Sequence, residues 1–74
     1  MPAMTLGELR KKVARVGQAD MAEMLAVMQG YVSRLEHQDD MMISNLIAYV
    51  EALDGDLEIQ VRFRDRVVRV TQFG

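Results

Sequence analysis

Gln18 and Gln29, eleven residues apart, open the part of this sequence whose side chains could do chemistry, and Gly30, Tyr31, Ser33 and Arg34 follow the second. Amide, phenol, hydroxyl and guanidinium groups suit recognition by hydrogen bonding. An amide offers a donor beside an acceptor, as the edge of a base requires, and a guanidinium matches a phosphate. The same set is poorly suited to breaking bonds. The 74-residue chain has no Cys and one His, His37, which excludes disulfides, structural zinc and cysteine or multi-histidine catalysis. Asp39 and Asp40 stand beside His37 but match no ligand spacing and read as solvated loop charges. No nucleophile, base and metal set can be assembled, so the reading is a non-enzyme that needs no cofactor.

The net charge of −2 weighs against a nucleic-acid partner, because Lys and Arg supply most of the affinity for phosphate, but the charge is unevenly spread. Residues 1–36 set Arg10, Lys11, Lys12, Arg15 and Arg34 against Glu8, Asp20, Glu23 and Glu36, a balance of +1. Residues 37–74 set Arg62, Arg64, Arg66 and Arg69 against seven acids, a balance of −3. A DNA face therefore belongs to the first half. Lys11, Lys12 and Arg15 suit flanking phosphates, and equally a solvated helix C-terminus. Arg34 can meet a phosphate or pair with Glu36 or Glu23. Tyr31 can reach a phosphate or a thymine methyl, or lie against the first helix.

The elements that must position these groups are legible from apolar spacing. Leu6, Leu9, Val13 and Val16 recur at helical intervals, and Thr5 followed by Glu8 has the form of a capping box, giving helix 1 over Leu6 to Arg15. Helix 2 runs from Gln18 to Ala26 with Met21, Ala22 and Leu25 inward, and helix 3 from Met28 to His37 with Val32 and Leu35 inward. A fourth helix carries Ile43, Leu46, Ile47, Val50 and Leu53 on one face, with Gly55 as its C-terminal stop. Beyond Gly55 the period changes to two. Leu57, Ile59, Val61 and Phe63 alternate with polar residues as a strand, and a second strand, Val67 to Thr71, follows a turn near Asp65. The four arginines around this hairpin can bind phosphate or an acidic partner, but read first as polar-face residues that discourage edge-to-edge aggregation.

Gln18 to Glu36, QADMAEMLAVMQGYVSRLE, thus has the layout of a helix-turn-helix, with a small residue central in the first helix and polar residues outward on the second. That packing presents helix 3 to a major groove. Gln29, Gly30, Tyr31, Ser33 and Arg34 lie where such helices touch bases and phosphates, and Gln18 can donate to a phosphate from the start of helix 2. The chain reads as mainly α, four helices and a C-terminal β-hairpin or strand, in one domain over 1–74, helical from about 5 to 55 and β from about 56 to 71. A core this small is often supplemented by oligomerisation. A homodimer is expected, through helix 4 and the hairpin, with Leu57, Ile59, Val61, Phe63, Val68 and Val70 buried there or against the core. The seven Met are read as core fillers, with adaptable partner surfaces as the alternative. No apolar run reaches the ~20 residues of a membrane span, and MPAMTLGELRKK lacks a signal peptide's apolar stretch, so a cytoplasmic protein without a membrane partner is expected.

The run Gln-(x)3-Ala-(x)6-Gln-(x)2-Val-Ser-Arg-Leu-Glu resembles the XRE family of Cro and phage-repressor type regulators, over roughly Leu6 to Phe63. The tail SNLIAYVEALDGDLEIQVRF looks like a branch rich in HigA-type antitoxins. The resemblance implies a lambda-repressor-like fold and a homodimer that binds double-stranded DNA at a palindromic operator and represses its own operon. In the antitoxin branch it also implies a RelE-like ribonuclease toxin as partner. Carried over by position, Gln18 and Gln29 match the glutamines that touch backbone and bases, and Tyr31, Ser33 and Arg34 match outward recognition-helix sites. Three positions depart from the family pattern: Gly17 stands for Thr, Ala26 for Gly in the turn, and Met28 for a Ser helix cap. A lost cap and a non-glycine left-handed residue each cost about 1 kcal/mol. The alternative function is toxin neutralisation, with the helix-turn-helix mainly a scaffold.

Overall fold

In the computed structural model, which describes residues 3–73, the chain divides into two compact units, with the boundary in the sequence between Met41 and Met42. In the first unit, α1 (Leu6–Glu8) starts on the anticipated capping box: the Glu8 amide donates to Thr5 Oγ1 at 3.2 Å and the Thr5 amide to Glu8 Oε1 at 3.2 Å. The helix then widens into a π-helical segment, Leu9–Ala14. Its carbonyl bonds span five residues, and the even 3–4 spacing no longer returns Val13 to the inner face, where it was expected. Val13 is 59% exposed, and Arg10 is the residue of this segment that is buried.

Next come α2 (Gln18–Leu25) and α3 (Gln29–Glu36). Both are shorter than the apolar pattern suggests because their flanking residues are caps. Ala26 ends α2 in the left-handed region, φ 57°, with the Val27 amide reaching back to the Ala22 carbonyl. Met28 precedes α3 in an extended conformation and caps it with no side-chain hydrogen bond. Met21, Ala22, Val32 and Leu35 are buried, as expected.

The second unit holds α4 (Ile43–Ala52) and a hairpin of β1 (Ile59–Arg62) and β2 (Val67–Val70). The left-handed stop of α4 is Asp54, φ 63°, and not Gly55, which the sequence put in that role. Gly55 follows it, and a Cβ there would lie 3.1 Å from Val50 Cγ1, so close packing favours glycine at this position. Tyr49, absent from the expected apolar face, is the fully buried residue of α4, whereas Ile43 is exposed. The strands are antiparallel, pairing Ile59 with Val70 and Val61 with Val68, and each is shorter than its alternating pattern. Among the described residues the architecture is thus mainly helical, four helices followed by a two-stranded antiparallel hairpin, as anticipated. No described helix is long and apolar enough to cross a membrane.

Candidate nucleic-acid interface

All six residues expected to touch DNA lie on α2 and α3 in the first unit. Gln18 is the first residue of α2 and Gln29 the first of α3. The turn between them brings their side chains together, and Gln29 Nε2 donates to Gln18 Oε1 at 3.4 Å. Gly30 follows with its Cα face open, no atom standing within 4 Å of where a Cβ would be. Tyr31 is half-buried, and the Arg34 guanidinium sits over its ring, 5.8 Å from the centroid. That stacking holds the cation at the exposed side of α3. Together with Val27, Met28 and Gly30 the two residues line an open hollow at the head of the helix. Ser33 is half-buried, and its carbonyl accepts from His37 Nδ1 at 2.6 Å.

Of the two ion-pair partners open to Arg34, Glu36 is engaged elsewhere. Its carboxylate receives Arg10 Nε at 2.6 Å and Arg10 Nη2 at 3.1 Å, with the two side chains only 6% and 4% exposed. Arg10 Nη1 also donates to the Val16 carbonyl at 2.8 Å, tying the end of helix 1 to the end of α3. Glu36 Oε1 accepts from Gln18 Nε2 at 3.3 Å as well. A side-chain chain therefore runs from Arg10 through Glu36 and Gln18 to Gln29. Neither Arg10 nor Glu36 was foreseen here. The available signal was a charged residue, Arg10, beside the apolar Leu6 and Leu9, with one opposite charge ending helix 3.

Other charges serve local ends. Glu8 pairs with Lys12 at 3.2 Å across one exposed turn. Hydrogen bonding from the Thr5 backbone, then from Lys12 and the Thr5 hydroxyl, holds the Glu8 carboxyl below its usual range. His37 ends α3 through its bond to Ser33, and no group of three potential metal ligands occurs among the described residues. Of the expected dimer residues, Leu57, Ile59 and Val70 are half-buried in the single chain, whereas Val61, Phe63 and Val68 are exposed.

No family model matches the chain. Antitoxin HigA3 of Mycobacterium tuberculosis is similar, 39% identical over 71 residues that cover 93% of this chain and 65% of that protein. The chain thus spans just under two thirds of the length of the curated relative it matches. A solved structure described as induced DNA bending by unique dimerization of HigA antitoxin is 38% identical, with a TM-score of 0.81 and 96% of each chain covered. A second, DNA bound antitoxin HigA3, is also 38% identical, with a TM-score of 0.80, covering 96% of this chain and 94% of that one.

Proposed function

The chain belongs to the family of HigA antitoxins, and from that premise we propose that it is a sequence-specific DNA-binding repressor, a homodimer on a palindromic operator that regulates its own operon. It works by binding and not by catalysis. In this reading residues 1–74 are one DNA-binding domain, with about 56–71 as the dimerisation segment. Helix α3 enters the major groove, Gln18 meets the backbone, Gln29 and Tyr31 face bases, and Arg34 with Ser33 faces phosphate and sugar. The second protomer reads a half-site about one helical turn, ~34 Å, away.

The observation that carries this reading is the Gln29–Gln18 bond at the head of an exposed α3. It orders a side chain that would otherwise lose rotamer freedom on binding. Solved relatives are described as DNA bound and as dimerised with bent DNA, which supports the same partners here. An antitoxin also implies a toxin, and we carry over a small basic ribonuclease as partner, supported by the acidic balance of residues 37–74.

The test is a fluorescence-anisotropy titration against duplex DNA from upstream of the chain's own gene and against a scrambled duplex, each at two salt concentrations. The cognate duplex should bind more tightly, and Gln29→Ala should remove about 1–3 kcal/mol of that preference while leaving the salt dependence in place. Equal binding to both duplexes would reduce the helix-turn-helix to a scaffold and turn the search to the toxin.

A further inference from the structure

A carboxylate only accepts hydrogen bonds, and this one fact fixes the polarity of every amide downstream of Glu36. The Gln18 atom facing Glu36 must be its nitrogen, as found at 3.3 Å. Gln18 Oε1 is thereby turned toward Gln29, so the Gln29 atom facing it must also be a nitrogen, as found at 3.4 Å. Gln29 is left with its Oε1 and one N–H to present outward. A side-by-side acceptor and donor matches adenine N6–H and N7 in the major groove and mismatches guanine, whose O6 and N7 are both acceptors.

We infer that Glu36, clamped by Arg10, is a positioning residue that sets which way round Gln29 presents its amide, and so governs base preference without touching DNA. The inference rests on the repressor reading above. Glu36 cannot itself reach a base, since its side chain is 4% exposed and Arg10 takes both carboxylate oxygens. Gly7 packs close to it: a Cβ there would lie 3.3 Å from Glu36 Oε1, tighter than ordinary contact, so a methyl group would press on the carboxylate. In Glu36→Gln a single oxygen remains. If it stays on Arg10 Nε, the new amino group faces Gln18 and both downstream amides must turn over. Gln29 then turns its Nε2, with both N–H donors, outward and its Oε1 inward, so that donor and acceptor exchange places against adenine N6–H and N7 while the two donors suit guanine.

The test has two arms on the full chain. In the first, the side-chain amide NMR signals of Gln29 are compared in the free wild type and Glu36→Gln, with circular dichroism to confirm folding. They should move although Glu36 and Gln29 share no bond; a shift confined to Gln18 overturns the relay. In the second, duplexes are selected from a randomised library, and the Gln29 position is the one whose preference vanishes in Gln29→Ala. Wild type should select adenine there, and Glu36→Gln should lower its preference over guanine about tenfold. Unchanged selection by a folded Glu36→Gln overturns the inference and leaves the repressor reading standing. If the wild type selects no base anywhere, the repressor reading falls and the Gln29 signals alone decide the relay. Should Glu36→Gln fail to fold, Gly7→Ala crowds the carboxylate while keeping the ion pair. It should move the Gln29 signals and weaken the adenine preference in the same direction, and no change in either overturns the inference.

Discussion

Ala26 and Met28 stand on either side of the turn between α2 and α3, and each holds a position better suited to another residue. Ala26 lies at φ 57°, where its Cβ crowds the following carbonyl, at a cost of about 1 kcal/mol. Met28 caps α3 with no side-chain acceptor and is 82% exposed, so little apolar burial offsets the missing cap. Ala26→Gly and Met28→Ser should therefore each raise stability by about 0.5–1 kcal/mol, seen as a higher midpoint in thermal or urea unfolding. A fall in midpoint for Met28→Ser would mean that the methionine makes a stabilising contact in the folded protein. The family resemblance marked both positions, with Gly and Ser in its pattern, although apolar spacing alone places Ala26 and Met28 inside the helices they flank. The Arg10–Glu36 pair was not legible in advance. Apolar periodicity assigns charged residues to the outside, and only the three-dimensional meeting of helix 1 with the end of α3 brings these two charges into one buried contact.

Among the elements, helix 1 is the one whose start and finish follow different rules. Its start is a capping box readable from Thr5 and Glu8. Its finish is a π-helical stretch closed by Arg15 at φ 59°, with the Arg15 and Val16 amides both donating to the Arg10 carbonyl. No local propensity announces that widening; it coincides with the residue whose guanidinium is committed to Glu36. In α4 the pattern located the helix but not its anchor, since Tyr49 has a polar tip and its fully buried ring was not counted as apolar. The cap at the start of helix 1 makes a pH prediction. Because hydrogen bonds from Thr5 and Lys12 hold Glu8 below its unfolded value, the stabilisation is complete above about pH 4.3. It is lost as acid carries the carboxyl through its lower folded value. Glu8→Gln should thus lose less stability than wild type between neutral pH and about pH 3 in a series of thermal melts. Parallel pH profiles for the two proteins would show that the box contributes nothing through its charge.

For the whole molecule, the hairpin carries a run of the apolar surface that a single chain leaves uncovered. Paired residues of an antiparallel ladder share a face, so Ile59 with Val70 and Val61 with Val68 make one side entirely apolar, while Gln60 with Arg69 lies on the other. A two-stranded sheet is marginal alone, and here Val61 and Val68 remain 38% and 41% exposed. A second copy offers an identical face, and such a self-matched pairing is what a two-fold dimer requires. The exposed end of the face is the better place to test this. Ile59 is half-buried, and a charge there confounds loss of the dimer with loss of the fold, whereas Val61→Asp places the carboxylate where the single chain already meets water. Val61→Asp should keep the helical circular-dichroism signal, sediment as a monomer at micromolar concentration, and bind an operator duplex about 100-fold or more weakly, because the two half-sites are no longer read by linked domains. A variant that still sediments as a dimer would move the interface away from the hairpin face, toward α4. A monomer that binds the duplex undiminished would mean that one recognition helix suffices, and the palindromic operator would lose its physical basis.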